Sequence, residues 1–170
     1  HITQPSDILN HLNEGIIHAL QQESRSQDDG MDITVCLFEK NKNKVTFAGA
    51  NHSIYIVADN ILEKYEGDFY AIGSMFGPKD SFGRKKDFSF SQQEIQLKKD
   101  SSIYFFTDGF ADQMGGTSGK KFLIKRFKEL LLEISTMEIK EQEQKIKKTF
   151  EEWKGVHSQL DDMLIIGIKT

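Results

Sequence analysis

Two short apolar segments limit how this chain can fold, because each is typical of a strand that is buried on both faces of a sheet. The first runs from Ile103 to Thr107, and the second runs from Met163 to Ile168. Asp108 and Gly109 follow the first segment directly. A strand end holds the Asp108 carboxylate at a defined place, and Gly109 allows a sharp turn or a positive φ immediately after it. The pattern therefore predicts a fixed carboxylate at the edge of a sheet.

A second pair of carboxylates precedes the other apolar strand, since Asp161 and Asp162 stand directly before it. If the two strands are neighbours, Asp108 and one member of this pair converge at one sheet edge. Converging carboxylates repel each other unless a cation neutralises them. Mg²⁺ and Mn²⁺ prefer oxygen ligands, and two such ions can share a carboxylate and activate a water for attack on a phosphate ester. The open alternative is an ordinary Asp-Gly turn and a solvated Asp pair.

The rest of the pattern predicts a helix, a series of strands, two more helices and a last strand. Pro5 opens the first helix, in which apolar residues recur on one face. Residues 66–86 are predicted to be a long irregular loop. The predicted strands lie at 32–39, around 45–47 and 54–56, and at 61–65 and 88–97, with turns at 41–43, 59–60 and 98–100. This order predicts an α+β fold in which helices pack on the faces of antiparallel sheets.

Two helices separate the two apolar strands. Ser135 and Glu138 have the spacing of a capping box at the start of the second helix. That helix is strongly charged, which is typical of a solvated face. The first helix is predicted to bury Phe122, Leu123, Phe127, Leu130 and Leu131, and the second to bury a narrower stripe of Ile139, Ile146, Phe150 and Trp153.

Composition excludes several classes of protein. A length of 170 residues suits one domain, and a net charge of -4 argues against a general nucleic-acid binder. No apolar run approaches the roughly 20 residues of a membrane span, so this segment is predicted to make no membrane contact, although a longer parent chain could be tethered. The single cysteine, Cys36, cannot form an internal disulfide, which favours a reducing cytoplasm. Its place in the strand-like run ITVCLF indicates a structural rather than a catalytic thiol.

Several stretches together resemble a known family. They are DDGMDITVCLFE, VTFAGANHSIYIV, IYFFTDGFADQMGG, KKFLIKRFKELL, and EEWKG followed by QLDDMLIIGIK. In this order they resemble the SpoIIE-type branch of the metal-dependent protein phosphatases, which are similar to protein phosphatase 2C. The resemblance covers nearly all of residues 1–170 and implies a single catalytic domain. It also implies an antiparallel β-sandwich flanked by helices, with two Mn²⁺ or Mg²⁺ ions bound between the sheets.

The resemblance assigns roles to the residues at the two strand ends. By motif match, Asp108 and Asp161 are expected to be catalytic metal ligands, and Gly109 belongs to the same metal-site motif. Asp162 is the less favoured member of its pair, because the family varies at that position, and it is expected to stand behind the ligands. A metal-bridging water would attack phosphorus in line, and no phosphoenzyme is implied.

Three other residues are weaker candidates for supporting roles. Asn51 and His52 follow Gly49-Ala50 in a segment that resembles the family's AGH-type turn, and they would then face the rim of the site; an ordinary turn is the alternative. Asp112 stands four residues after Asp108 and would support the site if a helical turn begins there, but a solvated Asp fits equally well. His157, near the Asp pair, could act as an acid or simply be exposed.

The sequence departs from the family in one important respect. The family has an earlier motif resembling D-x-x-G-H-G, whose Asp bridges both metals, and this sequence starts after it. No residue between 1 and 30 replaces it, since Asp28 and Asp29 lie after the first helix. We therefore expect an N-terminally truncated domain with weak metal binding and little or no activity by itself.

The leading functional hypothesis is a bacterial phosphatase domain acting on phosphoserine or phosphothreonine of a regulatory protein. In this branch the substrate often resembles an anti-sigma-factor antagonist. One alternative is a catalytically inactive, phosphatase-like signalling or interaction module, and another is a metal-dependent phosphohydrolase for small molecules. Sheet edges left open by the truncation favour pairing of two copies, so we also expect a homodimer.

Overall fold

The computed structural model describes residues 2–20, 30–74 and 88–170, so part of the predicted loop at 66–86 lies outside the described residues. Contacts divide the chain into two compact units, His1–Ser53 with Tyr65–Leu97, and Ile54–Lys64 with Lys98–Thr170. The elements are α1 (Pro5–Leu20), β1 (Ile33–Glu39), a short 3-10 turn (Lys40–Lys42), β2 (Lys44–Ala50), β3 (Ser53–Ala58), β4 (Ile61–Glu66), β5 (Gln93–Gln96), β6 (Ser102–Phe106), α2 (Gly109–Asp112), β7 (Met114–Gly115), β8 (Lys120–Lys121), α3 (Ile124–Ile134), α4 (Ile139–Lys154) and β9 (Ile165–Lys169).

The first unit contains an antiparallel sheet in the order β1-β2-β5. Cys36 of β1 lies opposite Phe47 of β2, and Phe47 lies opposite Gln93 of β5. Because β2 is central, every residue from Val45 to Ala50 is buried. Burial raises the pKa of the Cys36 thiol to about 12, which agrees with a structural rather than a nucleophilic role.

Helix α1 packs on this sheet through Leu9, which is fully buried among Ala48, Ile72 and Phe90. Its polar side also contributes, because Asn10 Oδ1 accepts a hydrogen bond of 2.8 Å from the Phe90 backbone amide. The helix predicted from residue 5 onward is confirmed, since its bounds follow the apolar periodicity.

The strand predicted over 88–97 is mostly wrong, because only Gln93–Gln96 pair with β2. In the residues before Gln93, backbone amides donate hydrogen bonds to side chains instead of to a neighbouring strand. Asn10 accepts from the Phe90 amide at 2.8 Å, and Asp68 Oδ2 accepts from the Ser91 amide at 2.7 Å. A donor used in this way is not available to a sheet ladder, so residues before Gln93 follow an irregular path.

The second unit contains an antiparallel sheet in the order β4-β3-β6-β9. Strand β6 is central, and Ile103 lies between Ile56 of β3 and Ile168 of β9. The two apolar segments are therefore neighbours, which is the condition for their carboxylates to converge. The prediction that the second segment is buried on both faces is wrong, because β9 is the last strand of this sheet and Leu164 and Ile166 are 54% and 46% exposed. The predicted turn at Asp59 and Asn60 is also confirmed, and both residues have the positive φ of a tight hairpin turn.

In the second unit, helices α3 and α4 contribute to a mainly aromatic core that includes Phe110, Phe127 and Phe150. The first of these helices begins later than predicted, at Ile124. Phe122 is still buried, but Leu123 has a φ of 78° and is 55% exposed, so the prediction that Leu123 joins the buried face is wrong.

The start of α4 also differs from the prediction. The capping box is formed by Glu138 and Glu141, whereas the buried Ser135 donates its hydroxyl to the Leu132 carbonyl at 2.9 Å at the end of α3. Ile139 is 42% exposed, so the prediction that it lies in the buried stripe of α4 is wrong. The stripe instead contains Gln142, whose Oε1 accepts a hydrogen bond of 2.8 Å from the Tyr104 hydroxyl. A polar side chain with a partner can occupy a core position that an apolar pattern does not reveal.

The α+β class is confirmed, with antiparallel sheets and four α-helices in the described residues. Within the same residues, no helix combines the length and the apolar character that crossing a membrane requires.

Candidate metal centre

Thr107 joins the end of β6 to the loop that enters β9. Its backbone amide donates to the Leu164 carbonyl at 2.9 Å. Its hydroxyl donates to the Asp162 carbonyl at 2.9 Å and accepts from the Leu164 amide at 2.9 Å. One of these hydrogen bonds reaches Asp162 and two reach Leu164, so together they hold the end of the Asp-pair loop beside the strand end that carries Asp108. Sequence analysis included Thr107 in the motif but assigned no role to its hydroxyl.

Gly109 lets the same two segments approach closely. A Cβ atom at this position would lie 2.5 Å from the Asp162 carbonyl oxygen and 3.5 Å from the Asp161 carbonyl carbon. Of the two predicted reasons for glycine, the positive φ is wrong for Gly109, whereas the chain does turn here from β6 into α2. The requirement is space, because any side chain would push the Asp161–Asp162 loop away from β6.

Asp108 is exposed at the first position of the α2 turn, directly after β6. Its carbonyl accepts the Asp112 amide at 2.9 Å, so the backbone is fixed by the turn. Its carboxylate forms no side-chain capping bond with the helix. An exposed carboxylate on a fixed backbone is suited to binding a cation, since binding costs little rearrangement.

Asp161 and Asp162 are also exposed, and their loop is ordered by local hydrogen bonds. Asp161 Oδ1 accepts the Asp162 amide at 2.7 Å, and the Asp161 carbonyl accepts Gln159 Nε2 at 2.8 Å. The first bond orients the Asp161 carboxylate. The structure thus brings the Asp161–Asp162 backbone to the strand end that carries Asp108, as expected from the sequence.

The side chain of Gln113 holds the beginning of this loop, at Ser158, beside the segment that follows α2. It is buried, and its Nε2 donates to the carbonyls of Ser158 and Met114 at 2.9 Å each. Its Oε1 has no partner among the described residues. The Gln113 carbonyl accepts Trp153 Nε1 at 2.9 Å, which links the same point to α4. Sequence analysis missed Gln113 because its role depends on residues about 40 positions later.

Trp153 makes a further contact with the turn after β7. Its carbonyl accepts the Gly116 amide at 2.8 Å, and a Cβ on Gly115 would overlap this carbonyl. The Trp153 ring lies against Gly116, so the glycines are required by the close approach of α4. The last turn of the charged helix is therefore packed against the polypeptide that extends from the Asp108 turn.

The remaining candidates near this region have ordinary partners. The helical turn on which a supporting role of Asp112 depended does start after Asp108, and Asp112 forms an ion pair of 2.8 Å with Lys121. The pair is exposed, so it contributes little stability. His157 is exposed, and its ring lies about 3.5 Å from the place where a Cβ on Gly119 would stand.

Asn51 and His52 lie in the turn between β2 and β3. Asn51 has a φ of 50°, and its Nδ2 donates to both carboxylate oxygens of Asp32 at 3.1 and 3.2 Å. His52 Nδ1 and Thr34 Oγ1 share a hydrogen bond of 2.7 Å. These bonds give both residues a role in holding the turn. Their placement at the rim of the metal site stays a prediction.

The side chains at this sheet edge supply some of the ligands that the Mn²⁺ or Mg²⁺ ions implied by the family would need. No group of three or more His, Cys, Asp or Glu side chains that could hold a metal occurs in the described residues. Asp108 and Asp161 nevertheless supply hard oxygen donors, and Gly109 leaves the space that their approach needs. Mg²⁺ and Mn²⁺ are often bound by one or two carboxylates with waters and substrate phosphates completing the shell. Asp108 and Asp161 therefore have the ligand chemistry for such an ion, and their binding of one ion together stays a prediction.

The chain belongs to the family of stage II sporulation protein E (SpoIIE), whose family model matches residues 1–170. Among proteins with curated descriptions, none matches this chain in sequence. The comparison with solved structures places it in the same class.

The SiaA-PP2C domain of Pseudomonas aeruginosa matches with a TM-score of 0.81 and 26% identity, over 98% of this chain and 61% of that one. The Mn-presoaked phosphatase domain of SpoIIE from Bacillus subtilis matches with a TM-score of 0.60 and 12% identity, over 99% and 74%. The RsbU and RsbW domains of a Mycobacterium tuberculosis protein match with a TM-score of 0.61 and 14% identity, over 95% and 46%. The chain thus spans about three-fifths of the SiaA domain, and it is a protein phosphatase 2C-like domain of a kind found in bacterial signalling proteins.

Proposed function

We propose that this chain carries part of the active site of a metal-dependent protein phosphatase that hydrolyses phosphoserine or phosphothreonine. Membership of the SpoIIE family supports the reaction class. The single observation that carries the proposal is the arrangement of Thr107 and Gly109, which holds the Asp161–Asp162 loop beside Asp108. We also propose that residues 1–170 act as one catalytic domain.

In this proposal, Asp108 and Asp161 hold a Mn²⁺ or Mg²⁺ ion through their carboxylates. A bound ion of this kind lowers the pKa of a coordinated water and neutralises charge on phosphoryl oxygens. The chain's own contribution is positional: Thr107 fixes the loop, and the hydrogen bond from the Asp162 amide orients the Asp161 carboxylate. Catalysis of phosphoryl transfer depends mainly on such positioning and on electrostatic stabilisation.

The proposed substrate is a phosphorylated regulatory protein in the cytoplasm, possessing the general character of an anti-sigma-factor antagonist. Two similar structures support a regulatory setting. One is described as containing RsbU and RsbW domains, and another, PppA of Pseudomonas aeruginosa, is described as a key regulatory component. Homodimer formation remains part of this proposal, and sedimentation of the purified chain at several concentrations tests it.

A second candidate is a non-catalytic module that binds a signalling partner. The observation that favours it is the small donor set, since the described residues contain no group of three metal-binding side chains. On either proposal we expect the chain by itself to bind metal weakly and to turn over little substrate, because two carboxylates leave most of the ion's ligands to water.

The test is Mn²⁺-dependent release of phosphate from a phosphoserine peptide by the longest available parent chain. Asp108→Asn should abolish both the metal response and the turnover. Asp100→Asn is the matched control, because Asp100 lies in a turn with a φ of 62°, which Asn tolerates. Retained Mn²⁺-dependent turnover in Asp108→Asn would refute the proposed site. A folded parent chain without any turnover would favour the non-catalytic module, and preference for nucleotides or sugar phosphates would favour a small-molecule phosphohydrolase.

A further inference from the structure

One segment of this acidic chain is strongly basic. Residues 113–128 contain five cations and no acidic residue. The whole chain has 22 basic and 26 acidic residues, so removing these five cations leaves 17 basic residues against 26 acidic ones. The five cations are Lys120, Lys121, Lys125, Arg126 and Lys128. Such a local reversal of sign creates an attractive field for an anionic partner.

Backbone hydrogen bonds attach this segment to the turn that starts at Asp108. The Leu123 amide donates to the Ala111 carbonyl at 2.7 Å, and the Phe122 amide donates to the Gln113 carbonyl at 3.0 Å. The short β7–β8 pairing joins Met114 to Lys121 within the same segment. The basic segment is therefore held next to the candidate metal centre, within one compact unit.

Two cations of the segment already interact with other side chains of the chain, whereas three form no ion pair in its described residues. Lys121 is paired with Asp112, and Lys128 lies over the Tyr55 ring with its Nζ 5.1 Å from the centroid. Lys120, Lys125 and Arg126 are exposed and form no ion pair with any residue in the described parts of the chain. These three supply the available positive charge.

Arg126 is held in place by an aromatic ring. Its Cζ lies 4.6 Å from the centroid of the Trp153 ring. A stacked guanidinium keeps its N–H donors in the plane of the group, where they can bind a carboxylate or phosphate in bidentate fashion. Arg126 is therefore oriented before any partner arrives, which lowers the entropy cost of binding.

Two apolar side chains are exposed beside the cations. Leu123 is 55% exposed and Ile124 is 43% exposed. Leu123 also has a φ of 78° and a ψ of 142°, which non-glycine residues rarely adopt. A leucine kept in a strained and exposed conformation next to unpaired cations is typical of a contact surface rather than of packing.

We propose that Lys120, Lys125 and Arg126, with Leu123 and Ile124 at their side, form a docking surface for the acidic stretch that flanks the phosphorylated residue of the substrate protein. This inference rests on the proposed phosphatase function. A phosphorylated segment is itself anionic, with a charge of about −2 on the phosphate alone, so its charge complements the surface. Docking next to the Asp108 turn raises the local concentration of the phosphate at the metal centre.

A phosphoprotein suits this surface better than a nucleic acid or a lipid surface does. A nucleic-acid binder presents basic residues over an extended face, whereas the rest of this chain is acidic. The three available cations together with two apolar side chains match a short peptide that carries both acidic and apolar groups. Acidic vesicles and single-stranded DNA are kept as competing arms of the test.

The experiment uses the longest parent chain with Lys120→Gln, Lys125→Gln and Arg126→Gln combined. The matched control combines Lys140→Gln, Lys147→Gln and Lys148→Gln, which removes three exposed charges from α4. A double variant, Lys120→Gln with Lys125→Gln, leaves the stacking of Arg126 on Trp153 intact. The probes are phosphoserine peptides flanked either by aspartates or by serines, together with p-nitrophenyl phosphate.

We expect kcat/KM for the aspartate-flanked peptide to fall about tenfold in the triple variant and less in the double variant. Turnover of p-nitrophenyl phosphate should stay unchanged in both, and the α4 control should match the parent for every probe. Added salt should remove the preference for aspartate flanks, because exposed charges are screened. Equal use of the two peptides by the parent chain, or equal loss on p-nitrophenyl phosphate, would overturn the docking surface.

Binding without turnover separates this inference from the proposed function. Fluorescence anisotropy of the labelled aspartate-flanked peptide is measured beside phosphatidylserine vesicles and single-stranded DNA. If no phosphate ester is hydrolysed but the triple variant still loses peptide binding, the docking surface stands and the phosphatase proposal fails. Loss of vesicle or DNA binding with unchanged peptide binding would overturn the choice of partner.

Discussion

The hydroxyl of Thr107 donates a hydrogen bond of 2.9 Å to the carbonyl of Asp162, across the two strands that carry the candidate ligands. The same hydroxyl accepts the Leu164 amide at 2.9 Å. One side chain therefore satisfies both a donor and an acceptor of the loop that places Asp161. The position of this loop depends on a residue that is not itself a metal-ligand candidate.

Replacing Thr107 by Val should weaken the fold and the metal site together. The isosteric change removes both hydroxyl bonds. Because these bonds are exposed, water can replace them in part, and the cost is about 0.5–1.5 kcal/mol. Urea unfolding measures the stability, and titration with Mn²⁺ measures the affinity in the parent chain. Thr107→Ser keeps the hydroxyl and should lie close to the parent in both. Equal behaviour of the Val and Ser variants would show that the hydroxyl has no such role.

Gly109→Ala should reduce Mn²⁺ affinity, because the new methyl group would overlap the Asp162 carbonyl unless the loop moves. Gly15→Ala is the matched control, since nothing lies within 4 Å of a Cβ at that exposed position in α1. In a helix interior the control should raise stability by about 0.5–1 kcal/mol. Calorimetric titration with Mn²⁺ and thermal unfolding distinguish the two variants. Unchanged affinity in Gly109→Ala would contradict the close approach.

Leu123→Gly should stabilise the domain or leave its stability unchanged, although it deletes a large apolar side chain. A φ of 78° with a ψ of 142° costs a non-glycine residue about 1–3 kcal/mol, and glycine removes that cost. Since Leu123 is half exposed, little buried area is lost. The midpoint of urea unfolding provides the measurement, with Leu123→Ala as the comparison. A glycine variant less stable than the alanine variant would argue against the strain.

Tyr104 should make the domain less stable as the pH rises through the alkaline range. Burial raises the pKa of Tyr104 to about 12, so the folded state keeps a proton that the unfolded chain has already lost. Between pH values of about 10 and 12, the unfolded state binds fewer protons, and stability therefore falls with rising pH.

Thermal unfolding from pH 9 upward tests this expectation in Tyr104→Phe, which should show a shallower decline in melting temperature. The same decline in the parent and in Tyr104→Phe would mean that other groups set the alkaline limit.

Regular elements were predictable from the sequence where a local pattern determines them. The apolar period of α1 and the continuous apolar runs of β6 and β9 each carry their own signal. The central position of β6 followed from its apolar run, since strands covered on both faces occupy the middle of a sheet. The same reasoning fails for β9, which is an edge strand in which Ile166 is 46% exposed. The turn at Asp59 and Asn60 was also predictable, because these residue types favour turns.

The elements that sequence analysis missed depend on distant partners. Residues 88–92 look like a strand, but Asn10 and Asp68 take backbone donors there. Glu138 rather than Ser135 caps α4, because Ser135 is buried at the end of the preceding helix. Neither competition leaves a trace in the local pattern.

The candidate site was predictable at the level of its carboxylates and not at the level of what holds them. Asp108 and Asp161 stand at the ends of recognisable strands. Thr107 and Gln113 act through carbonyls more than 40 positions away in the chain, and Gly109 is required by a through-space approach rather than by its own backbone angles. Contacts between residues this far apart in the chain cannot be read from a single sequence.

The contact between Trp153 and the turn at Gly115–Gly116 joins the last turn of the charged helix α4 to the basic segment. A pairing as short as β7–β8 has little stability of its own, so its order is imposed by the last turn of α4. Fraying of that turn would remove the Trp153 hydrogen bond to the Gln113 carbonyl, which would still accept the Phe122 amide, and would also remove the bond from the Gly116 amide to the Trp153 carbonyl. The order of the basic segment thus depends on the end of a helix that follows it much later in the chain.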